Sequence, residues 1–484
     1  MVRSLLFSSI TFLYYFLPAV LVIYYLAPAK VKNLILFLAS FVFYLWGEPK
    51  YSVLLLFSVA VGYMGGRCIE YQRQKKCVCA ADPADRSGKY KGRHDRLVVG
   101  IFTAMTLGLL VFFKYMDFLA DSVNRILGTH VPMVQIALPV GISFYTFQII
   151  SYYVDVYRGE VAAEHNFVDF AAYVTMFPQL IAGPIVNYTE VSSCLKRRTV
   201  TARDFESGIR ILVIGLGSKV IIADRVGMLW NNVQTIGFNS ISTPLAWLGA
   251  VAYSMELYFD FAGYSMMAVG LGKMLGFQIP VNFRFPYISK SVTEFWRRWH
   301  ITLGRWFRDY VYIPLGGSRK GRLRTMFNLF AVWILTALWH GAGYNFLIWG
   351  GMLLGALFLE KLFLLPFLQK SKVIGHVYLL LFVPVTWMAF TITDVHQLGI
   401  YLTRMFPFVN AHTGMVNSMD YIKYLKDYDS LLAMGVLFAT PVPAVIYGRI
   451  KRGMLGTLAI AVIFALSMYY LAVSANNPFL YFNF

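Results

Sequence analysis

Two histidines stand out because of what surrounds them. His340 closes the stretch TMFNLFAVWILTALWHG, in which no charged residue occurs from Thr325 to Trp339. As a helix, that run rises roughly 22 Å. It begins beside the densest basic segment of the chain, residues 284–324, which holds ten Lys/Arg. Read as starting at the cytoplasmic face, the helix carries His340 past the middle of a bilayer. Imidazole titrates near neutrality and suits general-base work. Burial among apolar groups keeps it neutral and able to accept a proton. An ionisable residue at that depth is either functional or a structural histidine bonded to a neighbouring helix, and position alone leaves both open.

His300 lies in SVTEFWRRWHITLGRWFRDY, residues 291–310. At 100° per residue, Val292, Phe295, Trp296, Trp299, Leu303, Trp306, Phe307 and Tyr310 fall within an arc of about 120°. Arg297, Arg298, Arg305 and Arg308 cluster opposite, and only Ile301 breaks the pattern. The spacing predicts one basic amphipathic helix lying along the cytoplasmic interface, with His300 at the edge of its apolar face. Such a helix is either an anchor or the floor of a cytoplasmic cavity. In the second case its arginines are placed for an anionic ligand such as a phosphate-bearing thioester. Two acidic residues, Glu256 and Asp260, sit one turn apart on one helix face. They are expected to be structural, Asp260 bonding nearby tyrosines such as Tyr264; a working carboxylate pair is the alternative.

The elements that must position these residues are membrane spans. Of 484 residues, 58% are hydrophobic and 14% charged; a soluble chain carries roughly a quarter charged residues. Apolar runs recur near 5–27, 33–47, 51–66, 98–114, 138–156, 167–187, 207–223, 243–275, 325–340, 344–364, 374–392, 430–447 and 455–473. The reading is an all-α polytopic membrane protein of one domain, residues 1–484, its first apolar stretch a retained helix. No tandem repeat is visible, which argues against a transporter of two related halves.

The net charge of +19 is concentrated between apolar runs, as in cytoplasmic loops that meet anionic lipid headgroups, and no nucleic-acid motif accompanies it. Residues 67–98 hold nine Lys/Arg against four Asp/Glu, so this loop is expected inside and the N-terminus outside. Cys77 and Cys79 lack a second ligand pair nearby, so no metal site is expected.

The same stretches resemble the membrane-bound O-acyltransferases. The resemblance rests on VTEFWRRWHITL (Val292 to Leu303), WFRDYVYIPLGG (Trp306 to Gly317) and LWHG (Leu338 to Gly341). It extends through LPVGISFYTFQIISYYVDVYRG from Leu138, FPQLIAGPI from Phe177 and LYFDFAGYSMMAVGLGKMLGF from Leu257. The chain is most similar to the bacterial, AlgI-like alginate O-acetylating branch, with DltB-like proteins as more distant relatives.

The resemblance implies a ring of about 11–13 transmembrane or re-entrant helices around a central tunnel, with interfacial amphipathic helices and core motifs in 257–351. It makes His340 the catalytic base and His300 a second signature residue. It places Trp296, Arg305, Arg308, Asp309, Tyr310, Trp339 and Asn345 along the donor and tunnel. No bound cofactor is implied; the donor substrate is acetyl-CoA or an acyl carrier thioester. The expected partners are an extracytoplasmic SGNH-type protein (AlgJ/AlgX-like or DltD-like) and an exported polysaccharide acceptor, at a bacterial inner membrane. No motif signals a separate nucleophile, so direct transfer is favoured over an acyl-enzyme. A transporter or flippase, or a scaffold for a polysaccharide-modifying complex, is the rival reading.

Overall fold

A computed structural model describes residues 5–79, 93–181, 183–408 and 416–473. Among these, every regular element is a helix. The basic stretch 80–92 and the side chains of Cys77 and Cys79 lie outside the described residues. The chain divides into two compact units, Met1–Ile209 with Ala268–Pro280, and Arg210–Met267 with Val281–Phe484.

In the first unit, Ser52–Cys79 and Arg93–Leu127 pack on each other and on Ile142–Arg158. The first two helices run well past the apolar runs at 51–66 and 98–114. The residues added to the first of them, 67–79, are rich in Arg, Lys and Gln, straight-chain side chains that lose little freedom in a helix. The apolar run 167–187 is not one helix. Phe167–Thr175 ends at Met176, and Phe177–Leu180 begins a separate turn with Pro178 in its first positions. Proline supplies no N–H and disfavours a helical residue before it, which breaks the span there.

The second unit holds both histidines. Arg322–His340 and Tyr344–Leu359 form a tight helical hairpin, and Lys372–Thr391 packs on the second of them. Gly341 ends the first helix with extended backbone, φ −172°. A Cβ there would lie 2.0 Å from the Phe346 ring, so only glycine lets the chain turn at that place. Gly350 lets the helices approach, since a Cβ on it would meet the Ala337 Cβ at 2.7 Å. The expected uncharged helix ending at His340 is thus present, and its end is fixed by the hairpin.

Among the described residues, six helices are long and apolar enough to cross a membrane. They are Ala29–Gly47, Pro49–Lys75, Asp95–Leu127, Tyr344–Lys370, Val373–Thr391 and Met454–Val473. A seventh span arises if Asp420–Phe438 and Val442–Ile450, bent by 73°, count as one. Other expected crossings fall on helices that are shorter, broken or more polar. The chain is an all-α, multi-pass membrane protein.

Candidate active site

The amphipathic helix expected over 291–310 is broken at its middle. Val292–Arg298 and Ile301–Phe307 are separate helices, and His300 between them has φ 44° and ψ 53°. That left-handed conformation costs a non-glycine residue roughly 1–2 kcal/mol. The compensation comes from a neighbouring irregular segment, residues 281–284. The Arg284 N–H bonds the Arg298 carbonyl (2.9 Å), the Ile301 N–H bonds the Asn282 carbonyl (2.9 Å), and the Thr302 N–H bonds Asn282 Oδ1 (3.1 Å). The Ile301 and Thr302 donors would otherwise be orphaned at the start of the second helix. The first helix is capped twice. Ser291 Oγ accepts from the Glu294 N–H (3.0 Å), and the fully buried Glu360 carboxylate accepts from the Val292 and Thr293 N–H groups at 2.6 and 2.9 Å. A carboxylate at a helix N-terminus also meets the positive end of the helix dipole.

The break turns the segment inward. Phe295, Trp299, Leu303, Trp306 and Phe307 are buried in protein instead of lying on lipid. Trp299 stacks on Phe295 (ring centroids 5.5 Å) and meets Trp387 (4.9 Å); Trp296 meets Trp333 (5.0 Å). His300 is 1% exposed, with the Phe261 ring edge-on at 4.8 Å and Trp339 at 5.9 Å. His340 is also buried, with Trp339 and Trp349 each at 4.9 Å and Phe390 at 5.2 Å. A cavity of about 580 Å³ adjoins this cluster. Its wall includes Trp296, His300, Arg297, Arg305, Arg308 and Trp333. It therefore joins a cationic rim, apolar walls and one imidazole. Such a space can hold an anionic ligand with an apolar or amide-bearing arm.

The family model described as MBOAT, membrane-bound O-acyltransferase family, matches residues 160–403, which contain both histidines and the cavity. A probable alginate O-acetylase AlgI of Pseudomonas putida is 36% identical over 99% of this chain and 100% of its own length. The chain belongs to the membrane-bound O-acyltransferase family. A peptidoglycan O-acetyltransferase of Helicobacter pylori is 36% identical over 72% of this chain and 68% of its own. A teichoic acid D-alanyltransferase of Bacillus subtilis is 30% identical over 44% of this chain and 56% of its own.

Within this acyltransferase the expected site residues divide into three groups. Trp296, His300, Arg305 and Arg308 meet on the cavity wall. Trp339 and His340 are outside that lining and are joined to His300 through ring contacts. Asp309, Tyr310 and Asn345 have structural contacts. Asp309 holds Arg308 in a two-pronged ion pair (2.7 and 3.0 Å), Tyr310 packs on Trp306 (5.3 Å), and Asn345 Nδ2 donates to the Phe390 carbonyl (2.9 Å). That last bond ties the hairpin to the helix that carries Trp387 and Phe390.

Asp260 has a partner that the sequence reading did not name: Lys219 Nζ lies 2.8 Å from Asp260 Oδ1 and 2.8 Å from Asp224 Oδ1. Glu256 lies apart from that bond, its carboxylate pressed against Gly227, and Tyr264 is fully buried. None of Glu256, Asp260 and Tyr264 lines the cavity. Three residues with evident work escaped sequence reasoning. Lys219 stands at the end of the apolar run 207–223, and a charge in such a run was a usable signal. Glu360, in the apolar run 344–364, offered the same signal but not its partners, which lie 67 and 68 residues away, and Asn282 offered none, because its bond to His300 joins residues 18 apart. Among the described residues, no group of three or more His, Cys, Asp or Glu could hold a metal ion.

Proposed function

We propose that this acyltransferase takes an acetyl group from a cytoplasmic thioester and passes it through the membrane for O-acetylation of an exported cell-surface polysaccharide. The relatives named as alginate and peptidoglycan O-acetylating proteins support the acetyl group and the polymer class. The observation that carries the reading is the cavity whose rim holds Arg297, Arg305 and Arg308 and whose wall holds His300. Guanidinium groups suit the phosphates of acetyl-CoA or of a carrier-bound phosphopantetheine arm. The apolar wall suits the arm itself.

The chemistry is direct acyl transfer. An acceptor hydroxyl oxygen attacks the thioester carbonyl carbon while His340 takes the hydroxyl proton. The tetrahedral intermediate collapses, the C–S bond breaks, and the leaving thiolate receives that proton. Indole N–H groups near the reacting carbon are candidates to stabilise the oxyanion. The basic segment 284–324 faces the cytoplasm in this reading, the N-terminus lies outside, and the membrane is the bacterial inner membrane. The ester product passes to the polymer with an extracytoplasmic SGNH-type protein.

Purified protein in lipid nanodiscs, given radiolabelled acetyl-CoA and an oligosaccharide acceptor, tests the reading. Ester-linked, base-labile label on the acceptor is the expected result. Label that crosses the membrane without ester formation would instead make the protein a carrier.

A further inference from the structure

One oxygen atom decides the chemistry available at His300. Asn282 Oδ1 accepts the Thr302 backbone N–H (3.1 Å) and the Thr302 hydroxyl (2.9 Å). A backbone N–H can only donate, so the atom it meets is the amide oxygen and not the amide nitrogen. The same oxygen lies 3.2 Å from His300 Nδ1. An amide oxygen has no proton to offer, so the proton between them sits on Nδ1. The neutral ring then carries its lone pair on Nε2. That atom is buried and has no hydrogen-bond partner among the described residues. His300 lines the 580 Å³ cavity, so a substrate group in that cavity is what remains to meet it.

We propose that Asn282 is the positioning residue of the acyl-transfer site: it fixes His300 as the Nδ1–H tautomer and so makes Nε2 an acceptor for a substrate hydroxyl or amide N–H. The proposal rests on the acyltransfer reading of the cavity given above. It deepens that reading by assigning His300 a single direction of hydrogen bonding. Asn282 performs two tasks with one side chain and one carbonyl. Its backbone oxygen takes the Ile301 N–H and its Oδ1 takes the Thr302 N–H, which hold the chain in the left-handed turn at His300. Its Oδ1 then orients the ring that the turn presents. A ring free to choose its tautomer would spend part of its time with Nε2 protonated. It would then face a substrate N–H or O–H with a donor, which is repulsive.

The experiment pairs a spectroscopic readout with kinetics on the whole protein in nanodiscs. ¹⁵N-histidine-labelled protein is compared with its His300→Gln variant, which identifies the His300 ring signals by their loss. The expected spectrum shows Nδ1 protonated and Nε2 unprotonated at neutral pH. An Nε2–H ring in the unsubstituted protein overturns the proposal whatever the variants do. Asn282→Leu, which removes the acceptor at similar bulk, is expected to give a mixed tautomer and a loss of kcat/KM of about tenfold to a hundredfold. Asn282→Asp keeps an acceptor oxygen in place and is expected to retain Nδ1–H and most of the activity. Asn282→Leu with an unchanged ring spectrum and unchanged kcat/KM also overturns it. Should Asn282→Leu fail to fold, the unsubstituted spectrum and Asn282→Asp still decide. Failure of the acyltransfer reading shows differently: no acetyl ester forms in the unsubstituted protein, while the ring spectrum is still measurable.

Discussion

Trp339 contacts both His300 and His340, its ring centroid 5.9 Å from the first imidazole and 4.9 Å from the second. The indole lies edge-on to both, at 65° and 79°. The two imidazoles are therefore neighbours of one ring. His300 adjoins the arginine-rimmed cavity, and His340 ends a helix that starts at the basic segment. In the proposed function, donor binding and proton transfer therefore fall to different histidines that share one indole neighbour. The two can be tested separately.

His340→Gln keeps bulk and hydrogen-bonding capacity but removes a base that works at neutral pH. Acetyl transfer is expected to fall by about 10²–10⁴-fold, the usual worth of general-base assistance. Size-exclusion profile and thermal midpoint should stay close to those of the unsubstituted protein, because ring contacts with Trp349 and Phe390 are partly retained by the amide. Near-normal turnover by this variant would move the base to His300.

Two of the three cavity-wall arginines, Arg305 and Arg308, should respond differently. Arg308 is already held by Asp309 at 2.7 and 3.0 Å, so part of its charge is answered within the protein. Arg305→Ala is expected to raise the donor KM by roughly tenfold to a hundredfold with a small change in kcat, the loss of one charge-assisted contact. Arg308→Ala exposes the Asp309 carboxylate to an anionic donor and should raise KM further. Donor titrations of the two variants at one ionic strength make the comparison. An unchanged KM in both would reduce the arginines to headgroup anchors.

Orientation has its own measurement. Lys320 is exposed in the basic segment expected to face the cytoplasm. With the four native cysteines replaced by serine, Lys320→Cys should react with a membrane-impermeant maleimide only after cells are opened. Strong labelling of intact cells would invert the topology and, with it, the side from which the donor enters.

The sequence made some of this legible and concealed the rest for physical reasons. His340 could be located because an uncharged helix and its basic start are local features, and Gly341 ends that helix where the chain needs it. The segment around His300 misled. Its residues have a sound helical period, so its sequence predicts one interfacial helix. What breaks that helix is Asn282, eighteen residues away, whose backbone and side-chain oxygens take the N–H groups of Ile301 and Thr302. Periodicity registers which faces are apolar but not whether the apolar partner is lipid or tryptophan, and Trp299 meets Trp387. Glu360 is a similar case, since a carboxylate in an apolar run could not be matched in advance to the N–H groups of Val292 and Thr293.

The hairpin that holds His340 should depend on a glycine of ordinary helical conformation. Gly350 sits where a Cβ would come within 2.7 Å of the Ala337 Cβ. Gly350→Ala is expected to destabilise the protein by about 1–3 kcal/mol through overpacking, despite alanine's higher helix propensity. Adding Ala337→Gly removes the clash and should recover much of the thermal midpoint. A single variant as stable as the parent would mean that the helices separate freely and do not fix His340.

Lys219 offers the sharpest test of the buried charges. Its side chain is 1% exposed and Asp260's is 2%, so neither charge is compensated by water. Nζ lies 2.8 Å from Asp260 Oδ1 and 2.8 Å from Asp224 Oδ1, one cation serving two carboxylates. Removing one member of a buried ion pair strands the other, and such losses run to about 3–5 kcal/mol. Lys219→Met keeps the length of the apolar stem while deleting the charge, so packing is disturbed little. It should lower the thermal midpoint sharply in detergent, measured by intrinsic tryptophan fluorescence. Asp260→Asn leaves the cation with Asp224 alone and should cost less. The double variant, Lys219→Met with Asp260→Asn, removes both halves of the most buried pair. It is therefore expected to be more stable than Lys219→Met by itself, a non-additivity that identifies the pair as the source of the loss. If Lys219→Met melts at the parent temperature, the charges are not held against burial as described, and their role would have to be sought in transport of protons or ions.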